Sequence, residues 1–230
     1  MDFLQRQSVL LTKSGQEAIK NAKICVFGCG GVGGYAIEML VRCGVESLTV
    51  VDFDVVENSN INRQIIATTK TIGQKKVEAV KNRCNEINPN CKITALDIRF
   101  SQETKNSINF EDFDFIVDAI DDVQNKVLLI KEAQNAGVKI ISAMGAGNKT
   151  DIPSFKICDI YKTENDGLAK KMRKLLRQAG VESLVVCSSN SKSQKNDVVG
   201  SIAYYPAMAG CTVASYVINE IIKGEEKWLL

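Results

Sequence analysis

Asp52, Asp54, Arg63, Lys76, Asp118, Asp121 and Asp122 are the side chains whose types and spacing suit a phosphorylated ligand. Arg63 and Lys76 are cations able to neutralise a triphosphate, and a carboxylate such as Asp121 is able to hold magnesium on one. Ahead of them, in "ICVFGCGGVGG", Gly28, Gly30 and Gly33 fit GxGxxG between a strand and a helix, and Asp52 ends the following strand, placed to bond a ribose hydroxyl. The extra Gly31 leaves more backbone N–H groups open to phosphate. Alone, the glycine loop predicts a nucleotide, most often a dinucleotide. The acids and cations downstream form a set that a hydride-transfer enzyme does not need. Tight helix–sheet packing without a ligand is the bland alternative, and these charged residues weigh against it. Asp118 also reads as a residue that bonds loop backbone.

Composition narrows the chemistry further. The chain has no histidine, which excludes Ser-His triads, His-metal sites and imidazole acid/base catalysis. None of its eight cysteines forms a CxxC pair, so a structural zinc is not expected and the thiols read as reduced. Cys187 and Cys211 are the two that could carry a thioester or persulfide, with buried, idle thiols as the alternative. With a net charge of only +2, attraction to nucleic acid requires local clustering of Lys and Arg. The N-terminus is unlike a signal peptide and no apolar run reaches the roughly 18 residues of a membrane span, so a cytoplasmic protein is expected.

The elements that must position these residues alternate. "KICVFG" reads as a strand, 30–43 as a helix, "SLTVVD" as a strand, and a helix carrying Val77, Val80, Cys84 and Ile87 stops at Pro89. "KITALDI" is a strand, and the near-continuous apolar run "FDFIVDAI" is one covered on both faces. A helix over about 123–136 and a strand "VKIISA" complete an α/β, Rossmann-like, doubly wound and mostly parallel sheet. The chain reads as a single domain over 1–230, with a nucleotide-binding core at 1–145 and an extension at 146–230. In the extension, "SFKICDI" and "ESLVVCS" read as strands, "DGLAKKMRKLLRQAG" as a basic helix, "SNSKSQKND" as a mobile loop, and "AMAGCTVASYVINEII" as an apolar helix packed on the domain.

GxGGxG, DxD, SNxxRQ, GxxK and DxxD occur in this order and spacing, and over residues 6–143 the chain resembles the ubiquitin-activating-like (ThiF-type) adenylyltransferases. The resemblance implies ATP, whose α-phosphate is attacked by a substrate carboxylate. It implies that Gly31 lies under the phosphates, that Asp52 and Asp54 belong to the nucleotide site, and that Asp52 holds the ribose. It also implies that Ser59, Asn60, Asn62 and Arg63 reach the triphosphate, Lys76 its phosphates, and Asp121 the magnesium and the reacting centre. Arg6 matches an arginine that enters the partner subunit's site, which implies a homodimer.

The second half, with "GAGNK", "DIYKT" and "DGLAKKMR", resembles the tRNA threonylcarbamoyladenosine dehydratases. This implies adenylation of a threonyl carboxylate on tRNA, followed by ring closure. A sulfur-transfer protein is a further candidate partner. An adenylyltransferase for a Gly-Gly-ended sulfur carrier, and a noncatalytic nucleotide-binding or scaffold protein in a sulfur-transfer pathway, are the alternatives. Lys170, Lys171, Arg173, Lys174 and Arg177 span about two helical turns, matching either an RNA backbone or a solvated face. Lys149 and Lys162 are further candidates near the RNA, and DNA is not an expected partner. Two positions depart from the family pattern: Ile66 stands where a histidine is usual and Gly167 where a proline is.

Overall fold

The computed structural model describes residues 3–194 and 196–223. Among these, seven strands form one sheet in the order β3-β2-β1-β4-β5-β7-β6. The core strands are β1 (Lys23–Phe27), β2 (Ser47–Val51), β3 (Lys92–Leu96), β4 (Phe115–Asp118) and β5 (Lys139–Ala143). All of their pairings are parallel, as is that of β7 (Val185–Ser189) on β5. The edge strand β6 (Phe155–Asp159) runs antiparallel to β7, so the expected mostly parallel α/β sheet is what forms.

Alternation along each strand divides the core in two. Ile24 and Val26 of β1 join the cluster under helices α1 (Lys13–Asn21), α2 (Gly31–Arg42), α3 (Lys76–Ile87) and α6 (Tyr204–Ile221). Cys25 and Phe27 point the other way, to the cluster under α4 (Val123–Asn135) and α5 (Gly167–Gln178). Covering both faces is what makes these strands apolar throughout rather than alternating with polar residues. Helix α1 is not anticipated from its polar sequence. Its Thr12 hydroxyl accepts from Gly15 N–H at 3.2 Å, and its buried Ile19 anchors one face. Ile66 is buried in the first cluster, where an imidazole would have to be desolvated.

Chain order reverses between β1 and β4, which opens a crevice at their carboxyl ends, the switch point where doubly wound folds bind ligands. Gly28 turns the chain out of β1 at φ +92°, and a Cβ there would lie 2.7 Å from the Ala119 carbonyl oxygen after β4. A Cβ on Gly33 would sit 1.7 Å from the Gly28 carbonyl oxygen, so both positions require glycine for the loop to close onto α2. Helix α6 lies across α2 with Pro206 against Gly31, bringing the C-terminal segment to the rim of the crevice.

Candidate active site

A cleft of about 560 Å³ opens at the switch point. Gly28, Gly30, Gly31, Asp52, Asp54, Asn60, Arg63, Lys76 and Asp121 line it together, although they come from separate stretches of the chain. Gly33 is buried beneath, in the first turn of α2, whose N-terminal N–H groups face the loop.

Asp52 organises the loop itself. One carboxylate oxygen accepts from Cys29 N–H at 2.6 Å and the other from Asp54 N–H at 2.9 Å. Burial pushes its pKa above the usual carboxylate value against those two hydrogen bonds. The charged form therefore costs stability at neutral pH, a cost that fades as pH falls through the raised folded pKa. Each oxygen keeps a lone pair for a further donor such as a ribose hydroxyl. Asp54 pairs with Lys76 at 2.7 Å, holding a nearly buried ammonium at the cleft wall.

Ser59 and Asn62, expected at the triphosphate, lie behind the cleft lining, where they hold Arg63. The Arg63 guanidinium donates to Ser59 O at 2.8 Å and Asn62 Oδ1 at 2.9 Å, while Asn62 Nδ2 reaches Ser201 O at 3.0 Å. Asn60 lines the cleft, but its Oδ1 is taken by Glu57 N–H at 3.0 Å.

Asp121 is exposed in the cleft and makes no hydrogen bond or ion pair among the described residues. Its neighbours are fully engaged. Asp118 is buried, accepting from Lys126 at 2.9 Å and Ser142 at 2.6 Å, while Lys126 also donates to Ile120 O at 3.0 Å. Asp122 caps α4 through Gln124 and Asn125 N–H, both at 3.1 Å, and pairs with Arg99 at 2.8 Å. The cap of Asn125 N–H and the Arg99 bond hold its carboxyl below the ordinary value.

Several lining residues carry no assignment from sequence. Arg99 follows β3, and its guanidinium lies 5.1 Å from the centre of the Phe53 ring. Gln64 lines the cleft with its Oε1 buried and without a partner among the described residues, an acceptor that a donor on a bound molecule would satisfy. The signal for Arg99 is its place just beyond a strand's carboxyl end. For Gln64 it is the "RQ" pair itself.

The extension completes the cleft through Ala146, Gly147, Val199, Ser201 and Pro206. On α5, Lys170, Lys171, Lys174 and Arg177 are exposed, as is Lys162 in the preceding turn, and Arg177 stacks 4.9 Å over Tyr161. Arg173 is half-buried and bonded to Thr163 O at 2.9 Å. Lys149 corrects the sequence expectation: it is 2% exposed and bonded to Gly145 O at 3.0 Å and Ser189 O at 3.3 Å, so its ammonium offers nothing to an outside phosphate.

Arg6 is exposed in the N-terminal segment, where neighbouring Gln7 bonds Cys43 O at 2.9 Å at the C-terminal end of α2. That end is about 18 Å of helix away from the glycine loop, so Arg6 does not line its own chain's cleft. Cys187 is buried on β7, where burial pushes its thiol up to about 12, and a thiolate there is not available at neutral pH.

A doubly wound sheet with a glycine loop at its switch point is the architecture of nucleotide-binding α/β proteins. The chain belongs to the ThiF family, whose profile matches residues 4–228. It is 35% identical to the tRNA threonylcarbamoyladenosine dehydratase of Bacillus subtilis, covering 96% of this chain and 95% of that one. The crystal structure of Escherichia coli tRNA N6-threonylcarbamoyladenosine dehydratase in complex with AMP superposes with a TM-score of 0.89 at 27% identity, covering 96% of this chain and 93% of that one. The same enzyme in complex with ATP gives a TM-score of 0.84 at 26% identity over 96% and 92%.

Proposed function

We propose that this chain is an ATP-dependent tRNA threonylcarbamoyladenosine dehydratase. It adenylates the threonyl carboxylate of the modified nucleoside and closes that side chain into a ring. The observation that carries the reading is the composite cleft: the nucleotide half and the extension share one wall, and the Bacillus relative matches both halves end to end.

The substrate carboxylate attacks the α-phosphate of ATP, forming an acyl-adenylate and releasing pyrophosphate. A nitrogen of the same side chain then attacks the acyl carbon and AMP leaves, so one water is lost overall at the expense of ATP. The glycine loop and the first turn of α2 receive the phosphates, Arg63 and Lys76 offset their charge, and Asp52 takes the ribose. Ring closure needs little from the protein, because nucleophile and electrophile are tethered. A histidine-free cleft suits this sequence of steps.

Asp121 also fits a magnesium ion. Among the described residues it is an exposed carboxylate without a competing cation, and they contain no group of three His, Cys, Asp or Glu able to cage a metal. That donor set suits an ion that arrives on the nucleotide, keeps its waters and takes one carboxylate. Bound there, magnesium would supply charge neutralisation at the phosphates.

The wider reading is of a cytoplasmic homodimer in which Arg6 of one copy enters the cleft of the other, with a sulfur-transfer protein as a further partner. Lys162, Lys170, Lys171, Lys174 and Arg177 present the cationic face for tRNA. Replacing Lys170, Lys171 and Lys174 by Gln is expected to weaken tRNA binding and to flatten its salt dependence by about 0.7–0.9 in slope per lost phosphate contact, measured by filter binding across a salt series. Unchanged salt dependence would make α5 an ordinary solvated face.

The direct test is nucleoside mass analysis of threonylcarbamoyladenosine-bearing tRNA after incubation with the protein and magnesium-ATP, digested gently to spare a labile ring. ATP-dependent loss of one water is the expected result. No change, in a preparation that exchanges pyrophosphate with a Gly-Gly-ended carrier protein, would establish the carrier reading in its place.

A further inference from the structure

Gly145 follows β5 and leads directly into Ala146 and Gly147 of the cleft wall. Both of its backbone polar groups are held by buried charges. Its N–H donates to Asp166 Oδ2 at 3.0 Å, and its carbonyl accepts from Lys149 Nζ at 3.0 Å. The two charges lie 3.5 Å apart, with Asp166 4% and Lys149 2% exposed. Lys149 also ties in β7 through Ser189 O and sits 5.9 Å from the centre of the Tyr205 ring.

The second Asp166 oxygen accepts from Ala169 N–H at 2.9 Å and so caps α5, the helix whose outer face carries the exposed lysines. One carboxylate thus joins the cleft wall to the basic helix. Beyond the apolar packing of these segments, a buried ion pair sharing a backbone amide and a carbonyl adds directional bonds that favour one register. Neither charge is open to RNA or nucleotide, so any effect on the reaction acts through the groups they hold.

Building on the dehydratase reading, we propose that Lys149 and Asp166 are positioning residues that register the RNA-facing helix α5 against the segment 145–147, which gives Ala146 and Gly147 to the cleft wall. Phosphates held on α5 then place the nucleoside's carboxylate at the nucleotide's α-phosphate. The pair governs turnover on tRNA rather than affinity for ATP or tRNA.

Asp166→Asn separates capping from registration. It retains an oxygen to cap Ala169, but turns an amide N–H₂ toward the Gly145 N–H and the Lys149 ammonium. The matched control is Asp159→Asn, which weakens a cap of similar kind, on Tyr161 N–H at 2.8 Å and Leu184 N–H at 3.1 Å, away from the cleft lining. Single-turnover dehydration of threonylcarbamoyladenosine-bearing tRNA, ATP and tRNA affinities and melting temperature are measured for both.

The expected result is a rate loss of about tenfold or more for Asp166→Asn, with both affinities within about twofold and the control near wild type. The Lys149→Met/Asp166→Asn double variant should be no slower than the slower single variant, because the two residues act as a unit. Equal rate losses in Asp166→Asn and Asp159→Asn, loss of ATP affinity in step with turnover, or additive single effects would each overturn the proposal while leaving the function intact. Wild-type protein inert on this tRNA would overturn both.

Discussion

Asp121→Ala and Arg63→Ala are each expected to reduce ATP-dependent turnover by about 10²–10³-fold, the scale of removing one charge-stabilising group from a reacting centre. Stability should stay within about 0.5 kcal/mol of wild type, because neither side chain supports the core. Asp121 bonds to nothing among the described residues, and the two acceptors of the Arg63 guanidinium belong to exposed residues, so water replaces it there. Pyrophosphate exchange or single-turnover dehydration, with a thermal melt alongside, measures both quantities. Arg63→Lys is expected to recover only part of the activity. An ammonium lacks the planar fork that bonds Ser59 and Asn62 while still facing phosphate. Unchanged turnover in either alanine variant would remove that residue from the site.

At Asp118, three residues before Asp121, the opposite outcome is expected. Lys126→Met should destabilise the fold by about 3–5 kcal/mol, since it leaves the Asp118 carboxylate buried with its charge uncompensated. For a chain of this size that corresponds to a fall in melting temperature of about 6–20 °C. Adding Asp118→Asn should restore a good part of the loss, because the amide is neutral and its oxygen still accepts from the Ser142 hydroxyl. The pair also bears on the site: Lys126 bonds the Ile120 carbonyl, so it fixes the turn that presents Asp121. A Lys126→Met variant within about 1 kcal/mol of wild type in urea titration would show that the buried pair does not anchor this edge of the sheet.

The acids in "DAIDD" show how far sequence reading reaches. That Asp118 engages backbone, accepting from Ile120 N–H at 3.3 Å beside its side-chain partners, and that Asp121 faces the ligand side are legible in part, because β4 ends at Asp118 and residues beyond a strand's carboxyl end enter the crevice. Lys126 as the partner of Asp118 is not legible. It lies eight residues on, on the first turns of α4, where its charge resembles that of any exposed helix lysine. The glycine loop, Asp52, Asp54, Arg63, Lys76 and Asp121 all line one cleft, whereas Ser59 and Asn62 sit behind that lining, bonded to residues that form it. Side-chain direction within a short turn is decided by hydrogen bonds that residue spacing does not encode.

Local rules therefore suffice for the strand–helix alternation and for a glycine turn between β1 and α2, which follow from backbone geometry and apolar periodicity over a few residues. The strand order, and the approach of Gly28 to the Ala119 carbonyl, come from the pairing of β1 with the distant β4. Long-range packing decides which lysines face outward. Lys149 and Lys170 look equivalent in sequence, yet one is sealed between β5, β7 and α5 and the other meets solvent. The difference comes from where the polypeptide can satisfy the carbonyls of Gly145 and Ser189, two groups 44 residues apart in the chain that meet only when β7 pairs with β5.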